Sequence, residues 1–171
     1  MNKKILAICG STRQHSTNLQ LLHAIANLYI DEIDIKIYKD IALIPHFNPD
    51  IDNENVPEEI TPFRTQLREA DGILICTPEY AMGVPGTLKN ALDWTVSSME
   101  FSGKSTALIT ASSVGQKGHT ALLETLKVIE ADIPESSQLV ISFVKTKVKG
   151  DTITDEATLQ QVKNVIHSLL K

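Results

Sequence analysis

The sequence predicts an α/β fold in which five parallel strands form one sheet with helices on both faces. Three observations lead to this prediction. Short apolar runs of strand composition alternate with longer segments of helical periodicity, five times along the chain. Three of the runs, at 4–9, 72–76 and 105–111, are almost continuously apolar, as in strands buried on both faces. The chain has 171 residues, the length of about one domain, so a single core can hold all five βα units.

The first βα unit consists of a strand at 4–9 and a helix that begins near residue 18. We predict Thr17 as the N-cap of this helix, because Gln20 follows three residues later, at the spacing of a capping box. The apolar residues that recur on one face of the helix are Leu19, Leu22, Ala26 and Tyr29.

The other four units repeat the pattern. Strands are predicted at 33–38, 72–76, 105–111 and 138–144. Helices are predicted at 61–70, 85–99, 118–130 and 155–170, after the first at 18–29. Between the second strand and the second helix, residues 40–57 contain three prolines, which favours an irregular segment on the surface.

Five βα units in one domain fit a flavodoxin-like three-layer sandwich, with a five-stranded parallel sheet of order 2-1-3-4-5. In that order the first and third strands are neighbours at the topological switch point, and ligands bind beyond the carboxyl ends of such strands. We therefore expect the loops after 4–9 and 72–76 to share one ligand. Residues 1–171 are predicted to form a single domain.

Composition limits the classes of partner. The chain carries a net charge of −5 and has a pI near 5.5, so it lacks the basic face that nucleic-acid binding requires. No apolar run approaches the ~20 residues of a membrane helix, and the first is too short for a signal peptide, so we expect a cytoplasmic protein without a membrane partner. Cys9 and Cys76 lie in apolar strands and are interpreted as small buried side chains. The five histidines show no metal-ligand spacing, so no metal is predicted.

The loop after the first strand has the composition of a phosphate site. Its sequence is Gly10-Ser11-Thr12-Arg13-Gln14-His15-Ser16-Thr17-Asn18. Hydroxyl groups and the first amides of a helix can donate hydrogen bonds to an anion, and Arg13 adds a planar guanidinium suited to phosphate oxygens. Ser, Thr and Asn also cap ordinary helices, so this loop alone leaves a capped surface turn equally open.

The loop after the third strand differs from a routine turn. Pro78 biases Thr77 away from helix, and Gly83 and Gly86 permit close backbone approach to a ligand. Tyr80 is a candidate aromatic wall for a flat ring, and the alternative is that Tyr80, like Trp94 further on, is a core or interface aromatic.

Together these segments resemble the NAD(P)H-dependent FMN reductase family, which includes flavodoxin-like quinone, chromate and azo-dye reductases. The resemblance covers residues 5–94. It rests on Gly10-Ser11-Thr12-Arg13 with Ser16 and Asn18, on Thr77-Pro78-Glu79-Tyr80, and on Pro85-Gly86-Thr87-Leu88-Lys89-Asn90-Ala91-Leu92-Asp93-Trp94.

The resemblance implies a site for FMN and a division of roles within it. It implies that the FMN phosphate is received by Ser11, Arg13, Ser16, Thr17 and Asn18. It implies that the isoalloxazine ring meets Pro78, Glu79, Tyr80 and Ala81, mainly through the backbone, and that Ser112 and Gly115 of a third loop face the ring. Ala81 stands where many members of the family carry Asn.

The same resemblance implies the reaction. NADPH or NADH is the expected co-substrate, passing hydride to FMN and then to a small acceptor such as a quinone, free flavin, azo compound or metal oxyanion. No catalytic side chain is expected, because the flavin carries the chemistry. A homodimer or homotetramer is the expected active form.

Two other functions remain open at this point. A flavodoxin-like electron carrier would exchange electrons with protein partners, and a non-catalytic FMN-binding module would sense redox state without turnover. A long acidic docking patch around the loops would favour the carrier, and residues 10–18 and 77–86 contain no such cluster.

Overall fold

The computed structural model describes residues 2–171 and contains the predicted parallel sheet. Its strands are β1 (Lys3–Cys9), β2 (Ile33–Tyr38), β3 (Gly72–Thr77), β4 (Ser105–Ser112) and β5 (Gln138–Ser142). They are ordered β2-β1-β3-β4-β5, as predicted. At the centre, β1 and β3 run in register with Cys9 opposite Cys76. The loops that follow these two strands therefore begin side by side.

Helices cover both faces of the sheet. They are α1 (Thr17–Leu28), α2 (Ile60–Glu69), α3 (Gly86–Asp93), α4 (Gln116–Val128), α5 (Val144–Lys147) and α6 (Glu156–Leu169). One core lies between the sheet and α2, α3 and α4, and includes Phe63, Leu92 and Leu122. The other lies under α1 and α6, and includes Leu22 and Ile166. The sandwich thus has three layers. Within residues 2–171, no helix has both the length and the apolar character needed to cross a membrane.

The N-cap of α1 is Ser16, so the prediction of Thr17 was wrong by one residue. Ser16 has extended backbone, and its hydroxyl oxygen accepts a hydrogen bond from the Leu19 N–H at 3.4 Å. Thr17 is instead the first helical residue. The two positions are hard to separate from sequence because Ser and Thr are both good caps.

Helix α3 ends at Asp93, although its apolar periodicity continues to Met99. The carbonyl of Trp94 accepts hydrogen bonds from the buried Arg64 guanidinium and from the Ser98 hydroxyl. That carbonyl would otherwise accept the Ser98 N–H in a continued helix. A side chain from α2 therefore ends the helix, which is information the local sequence does not contain.

The chain after β5 forms a short helix and a hairpin that the sequence pattern did not predict. Phe143 has a φ of +55°, which turns the chain out of the strand at Ser142 instead of residue 144. The short helix α5 follows, and then a hairpin of β6 (Val148–Lys149) and β7 (Thr152–Ile153). The turn dipeptide Gly150-Asp151 between these two strands is a sequence signal for a hairpin.

The proline-containing segment 40–57 is fixed to α3. Asn90 accepts the Phe47 N–H at 2.7 Å and donates to the Pro45 carbonyl at 2.9 Å. Trp94 donates its indole N–H to the same carbonyl at 2.8 Å and packs edge-on against Phe47. Trp94 is fully buried, so its interpretation as a core aromatic is confirmed.

Candidate functional site

A cleft of about 310 Å³ opens at the carboxyl ends of β1, β3, β4 and β5. Its volume is within the range of small-molecule sites. Its lining residues are Ser11, Arg13, Ser16, Thr17, Asn18, Pro78, Glu79, Tyr80, Ala111, Ser112, Ser113, Phe143, Val144, Lys145 and Thr146. Nine of the eleven site residues predicted from sequence are in this lining, and Ala81 and Gly115 are outside it.

The first loop, residues 10–16, packs closely against the end of β3. A Cβ on Gly10 would lie 2.3 Å from the Thr77 hydroxyl oxygen, a distance at which atoms overlap. The Gly10 N–H also donates to the Cys76 carbonyl at 2.8 Å. Glycine at this position therefore lets the first loop lie directly beside the second loop, residues 78–85.

One end of the cleft is suited to an anion. The Ser11 and Ser16 side chains are buried, at 7% and 3% exposure, and line the cleft next to the start of α1. The first amides of a helix have no partner within it and lie at the positive end of the helix dipole. Arg13 of the first loop contributes a positive charge at this end, and Lys145 is a second cation in the cleft lining. These donors fit a phosphate group.

The Asn18 side chain supports this end of the cleft through hydrogen bonds to two neighbouring strands. Its side-chain oxygen accepts from the Cys76 thiol at 3.3 Å, and its side-chain nitrogen donates to the Ala111 carbonyl at 3.0 Å. Burial, and secondarily the neighbouring Cys9, raises the pKa of the Cys76 thiol well above its usual value, so Cys76 remains a hydrogen-bond donor. The Asn18 amide group thereby ties α1 to the ends of β3 and β4.

Both cysteines serve the packing of the sheet. Cys9 and Cys76 are free and buried. Burial also raises the pKa of the Cys9 thiol, which donates to the Ser11 carbonyl at 3.4 Å. Their interpretation as structural residues agrees with this environment.

Tyr80 forms part of the opposite wall. It is 46% exposed and lines the cleft, so it is not a core aromatic, and the alternative of an interface aromatic stays a prediction. Its hydroxyl lies 3.5 Å from the Ser11 hydroxyl, which links the first and second loops. Tyr80 and Gly83 exchange backbone hydrogen bonds of 3.1 and 2.9 Å, closing a tight turn over Ala81 and Met82.

The third loop, residues 113–115, leads from β4 into α4. Gly115 has a φ of +93° and is the N-cap of α4, a position at which it offers no side-chain acceptor. That acceptor comes from Glu79 in the second loop, which receives the Gly118 N–H at 2.6 Å. Behind the loop, His119 lies 2.8 Å from the Thr110 hydroxyl, and burial lowers the pKa of its imidazole.

The cleft has a fourth wall that the sequence pattern did not predict. It consists of residues 143–146, which line the cleft together with the first three loops. They are fastened to the third loop, because the Phe143 N–H donates to the Ser113 carbonyl at 3.2 Å and the Ser142 hydroxyl donates to the Val114 carbonyl at 3.0 Å. The strand order could have revealed this wall, since it places the carboxyl end of β5 beside that of β4.

The fold and this cleft define the class of protein, a flavodoxin-like α/β protein with a ligand cleft at the switch point of its sheet. Comparison with known proteins is more specific. Residues 3–145 match the family described as NADPH-dependent FMN reductase, and the chain belongs to that family of FMN-using, NAD(P)H-dependent oxidoreductases. Among residues 2–171, no three His, Cys, Asp or Glu side chains are grouped as they would be around a metal ion.

Two individual relatives and one solved structure are similar to the chain. A 2-hydroxy-1,4-benzoquinone reductase of Burkholderia sp is 44% identical over 55% of this chain and 50% of its own length. The chain therefore aligns with only half of that relative. A subunit of an NADH-dependent flavin reductase of Lactobacillus johnsonii is 28% identical over 98% of this chain and 96% of its own. In three dimensions, the NAD(P)H:acceptor oxidoreductase FerB of Paracoccus denitrificans superposes with a TM-score of 0.85 at 24% identity, covering 98% and 95% of the two chains.

Proposed function

We propose that residues 1–171 form one FMN-binding domain that oxidises NADH or NADPH and reduces a small acceptor. The observation that carries the proposal is the position of the cleft. Hydroxyl and cationic groups of the first loop and the start of α1 line it together with residues of the loops after β3 and β4. A phosphorylated planar cofactor has the matching shape, with an anionic end and an aromatic end.

At the phosphate end, the proposed ligands are Ser11, Arg13, Ser16, Thr17 and Asn18. Asn18 contributes its backbone N–H, because its side-chain amide already bonds Cys76 and Ala111. Ser16 can donate its hydroxyl proton to an anion while its oxygen accepts from Leu19.

At the ring end, Pro78, Glu79 and Tyr80 form one proposed wall, and Ser112 belongs to the other. Ala81 and Gly115 serve this end by shaping the backbone of their loops, since neither lines the cleft. Exposed Val114 and Phe143 add apolar surface near the mouth. Such surface favours flat organic substrates over a charged protein partner.

The chemistry that FMN supplies when bound is acceptance of a hydride from a nicotinamide and its transfer to an acceptor. The protein's part is to hold the cofactor and keep one ring face accessible. Among acceptors we propose a quinone first, because a benzoquinone reductase is among the relatives. An electron carrier is less well supported, because Glu79 is the only acidic residue in the cleft lining and its carboxylate already accepts the Gly118 N–H.

We also propose a homodimer or homotetramer, for which exposed Val96 and Met99 after α3 provide apolar surface.

Turnover of the reconstituted protein tests the proposed activity. Protein freed of flavin is mixed with FMN, NADH or NADPH, and an acceptor chosen from 1,4-benzoquinone, free flavin, an azo dye and chromate. We expect FMN-dependent oxidation of the nicotinamide that continues over many turnovers with at least one acceptor. Binding of FMN without turnover on any acceptor would instead support the carrier or sensor function. Light scattering on the same sample measures the number of copies in the assembly.

A further inference from the structure

The second and third loops of the cleft are held together by one side chain. Glu79 belongs to the second loop, and its carboxylate oxygen accepts the backbone N–H of Gly118 in the first turn of α4 at 2.6 Å. This donor is the third amide of the helix, the one that an N-cap side chain ordinarily satisfies. The N-cap of α4 is Gly115, which has no such side chain. Glu79 therefore supplies the missing cap from a different loop.

Gly118 completes this contact from the helix side. A Cβ there would lie 3.0 Å from Glu79 Cγ and 3.0 Å from the Gly83 carbonyl oxygen. Because the Gly83 carbonyl accepts from Tyr80 across the tight turn, α4 packs against both Glu79 and that turn. A side chain at residue 118 would push the second loop away from α4.

Resting on the proposed function, we propose that Glu79 is a positioning residue for the ring end of the cleft. Its carboxylate caps α4 and fixes the distance between the loop that carries Pro78 and Tyr80 and the loop that carries Ser112 and Ser113. This role is separate from the phosphate end, where Arg13 acts. Loss of the Glu79 contact should weaken the binding of the flavin ring and leave the binding of the phosphate group unchanged.

The test compares FMN with riboflavin, which has the ring and lacks the phosphate. Affinity for each is measured by quenching of flavin fluorescence with flavin-free protein. A charge-assisted hydrogen bond of this kind is worth about tenfold or more in an equilibrium constant. We expect Glu79→Ala to weaken the binding of FMN and of riboflavin by a similar factor of about ten. Gly118→Ala should act in the same direction.

Two variants separate positioning from general damage. Glu79→Gln keeps an oxygen that can accept the Gly118 N–H, so its affinities should stay within about threefold of the natural protein. Glu124→Ala is the matched control, because Glu124 lies exposed on the same helix and pairs only with Lys127 at 2.9 Å. It should bind both flavins normally. The proposal is overturned if Glu79→Ala binds both flavins normally, or if Glu79→Gln is as weak as Glu79→Ala.

Hydrogen exchange provides a second test of the cap, and this test needs no flavin. The Gly118 amide should be protected in the natural protein and in Glu79→Gln, and should exchange faster in Glu79→Ala. Unchanged exchange in Glu79→Ala would contradict the cap. Failure of the natural protein to bind FMN would instead contradict the proposed function, so the two failures are distinguishable.

Discussion

Ala81 and Met82 adopt a backbone conformation that their side chains disfavour. Their φ angles are +49° and +62°, and the residues on either side, Tyr80 and Gly83, close the turn with two hydrogen bonds. Positive φ at both central positions is the geometry of a type I′ turn, in which Asn and Gly are preferred. Packing of the turn on α4 at Gly118 maintains this strained geometry at the wall of the cleft.

Replacing Ala81 by Asn should stabilise the protein. Asn tolerates left-handed backbone better than Ala, and residue 81 is exposed, so the new side chain meets no steric obstacle. We expect a gain of about 0.5–1 kcal/mol in the free energy of unfolding, measured by urea denaturation. Ala121→Asn, at an exposed position within α4, is the control and should cost about 0.5 kcal/mol through lost helix propensity. Equal effects of the two substitutions would contradict the account of the turn.

Side-chain roles in the site were only partly predictable at this scale. The sequence identifies Asn18 and Glu79 as candidate cofactor residues, and both line the cleft. It does not reveal that Asn18 bonds Cys76 and Ala111, or that Glu79 caps α4. Each of these partners lies 39 or more residues away along the chain, so no local sequence pattern predicts the contact.

Strands and helices could be predicted where one periodic apolar pattern runs through them. Their end residues could not always be predicted. All five sheet strands and the five main helices occur where apolar periodicity places them. Helix α3 ends early because Arg64 of α2 binds the carbonyl of Trp94, and β5 ends early because Phe143 turns left-handed. The Arg64 contact is tertiary, and the Phe143 N–H is bound by the Ser113 carbonyl of the third loop, so the local pattern continues past the true end in both cases.

Arg64 and Asp52 join three elements on the face away from α1. Arg64, on α2, is buried, pairs with Asp52 of segment 40–57 at 2.7 Å and lies over the ring of Trp94. Burial alone would raise the pKa of the Asp52 carboxyl, but hydrogen bonds from Ser97 and Arg64 outweigh it and lower the pKa. The ionised carboxylate therefore stabilises the folded state.

Asp52→Asn should destabilise the protein in a pH-dependent way. At pH 7 we expect a loss of about 2 kcal/mol in the free energy of unfolding, because the charge-assisted bond to Arg64 is weakened. A carboxyl whose pKa is lowered by folding contributes its stability above its unfolded pKa of about 3.9, and loses it as the pH falls through the folded value. The difference between the natural protein and the variant should therefore shrink below about pH 4.

An exposed ion pair provides the control for that measurement. Glu124 and Lys127 pair at 2.9 Å with both side chains more than half exposed. Glu124→Gln should change the free energy of unfolding by less than about 0.5 kcal/mol. An Asp52→Asn effect as small as this, or one that grows as the pH falls, would contradict the stabilising role of the buried pair.

On the scale of the whole molecule, topology and charge together make the site. The strand order brings loops from residues 10–16, 78–85 and 113–115 to one edge of the sheet. The protein carries a net charge of −5, yet the cleft lining contains Arg13 and Lys145 against a single carboxylate. The strand order and the first two walls could be predicted from βα alternation and loop composition. The wall from 143–146 depends on where the chain turns after β5.

The two cations of the cleft lining, Arg13 and Lys145, provide a test that is specific to the phosphate group. Arg13→Ala should weaken FMN binding by about 1.5–3 kcal/mol and leave riboflavin binding unchanged, because riboflavin has no phosphate for the guanidinium to bind. Lys145→Ala should act in the same direction with a smaller effect, because an ammonium binds phosphate as a point charge. Lys149, on the β6–β7 hairpin and outside the cleft lining, provides the control, and Lys149→Ala should bind both flavins normally.

The most direct test of the central claim is the ratio of FMN affinity to riboflavin affinity in the natural protein. Flavin-free protein is titrated with each compound at the same pH and ionic strength, and flavin fluorescence reports binding. We predict saturable binding of one FMN per chain, at least about tenfold tighter than riboflavin, since a phosphate at the start of α1 gains charge-assisted hydrogen bonds. Absence of FMN binding, or equal affinity for the two flavins, would contradict the account.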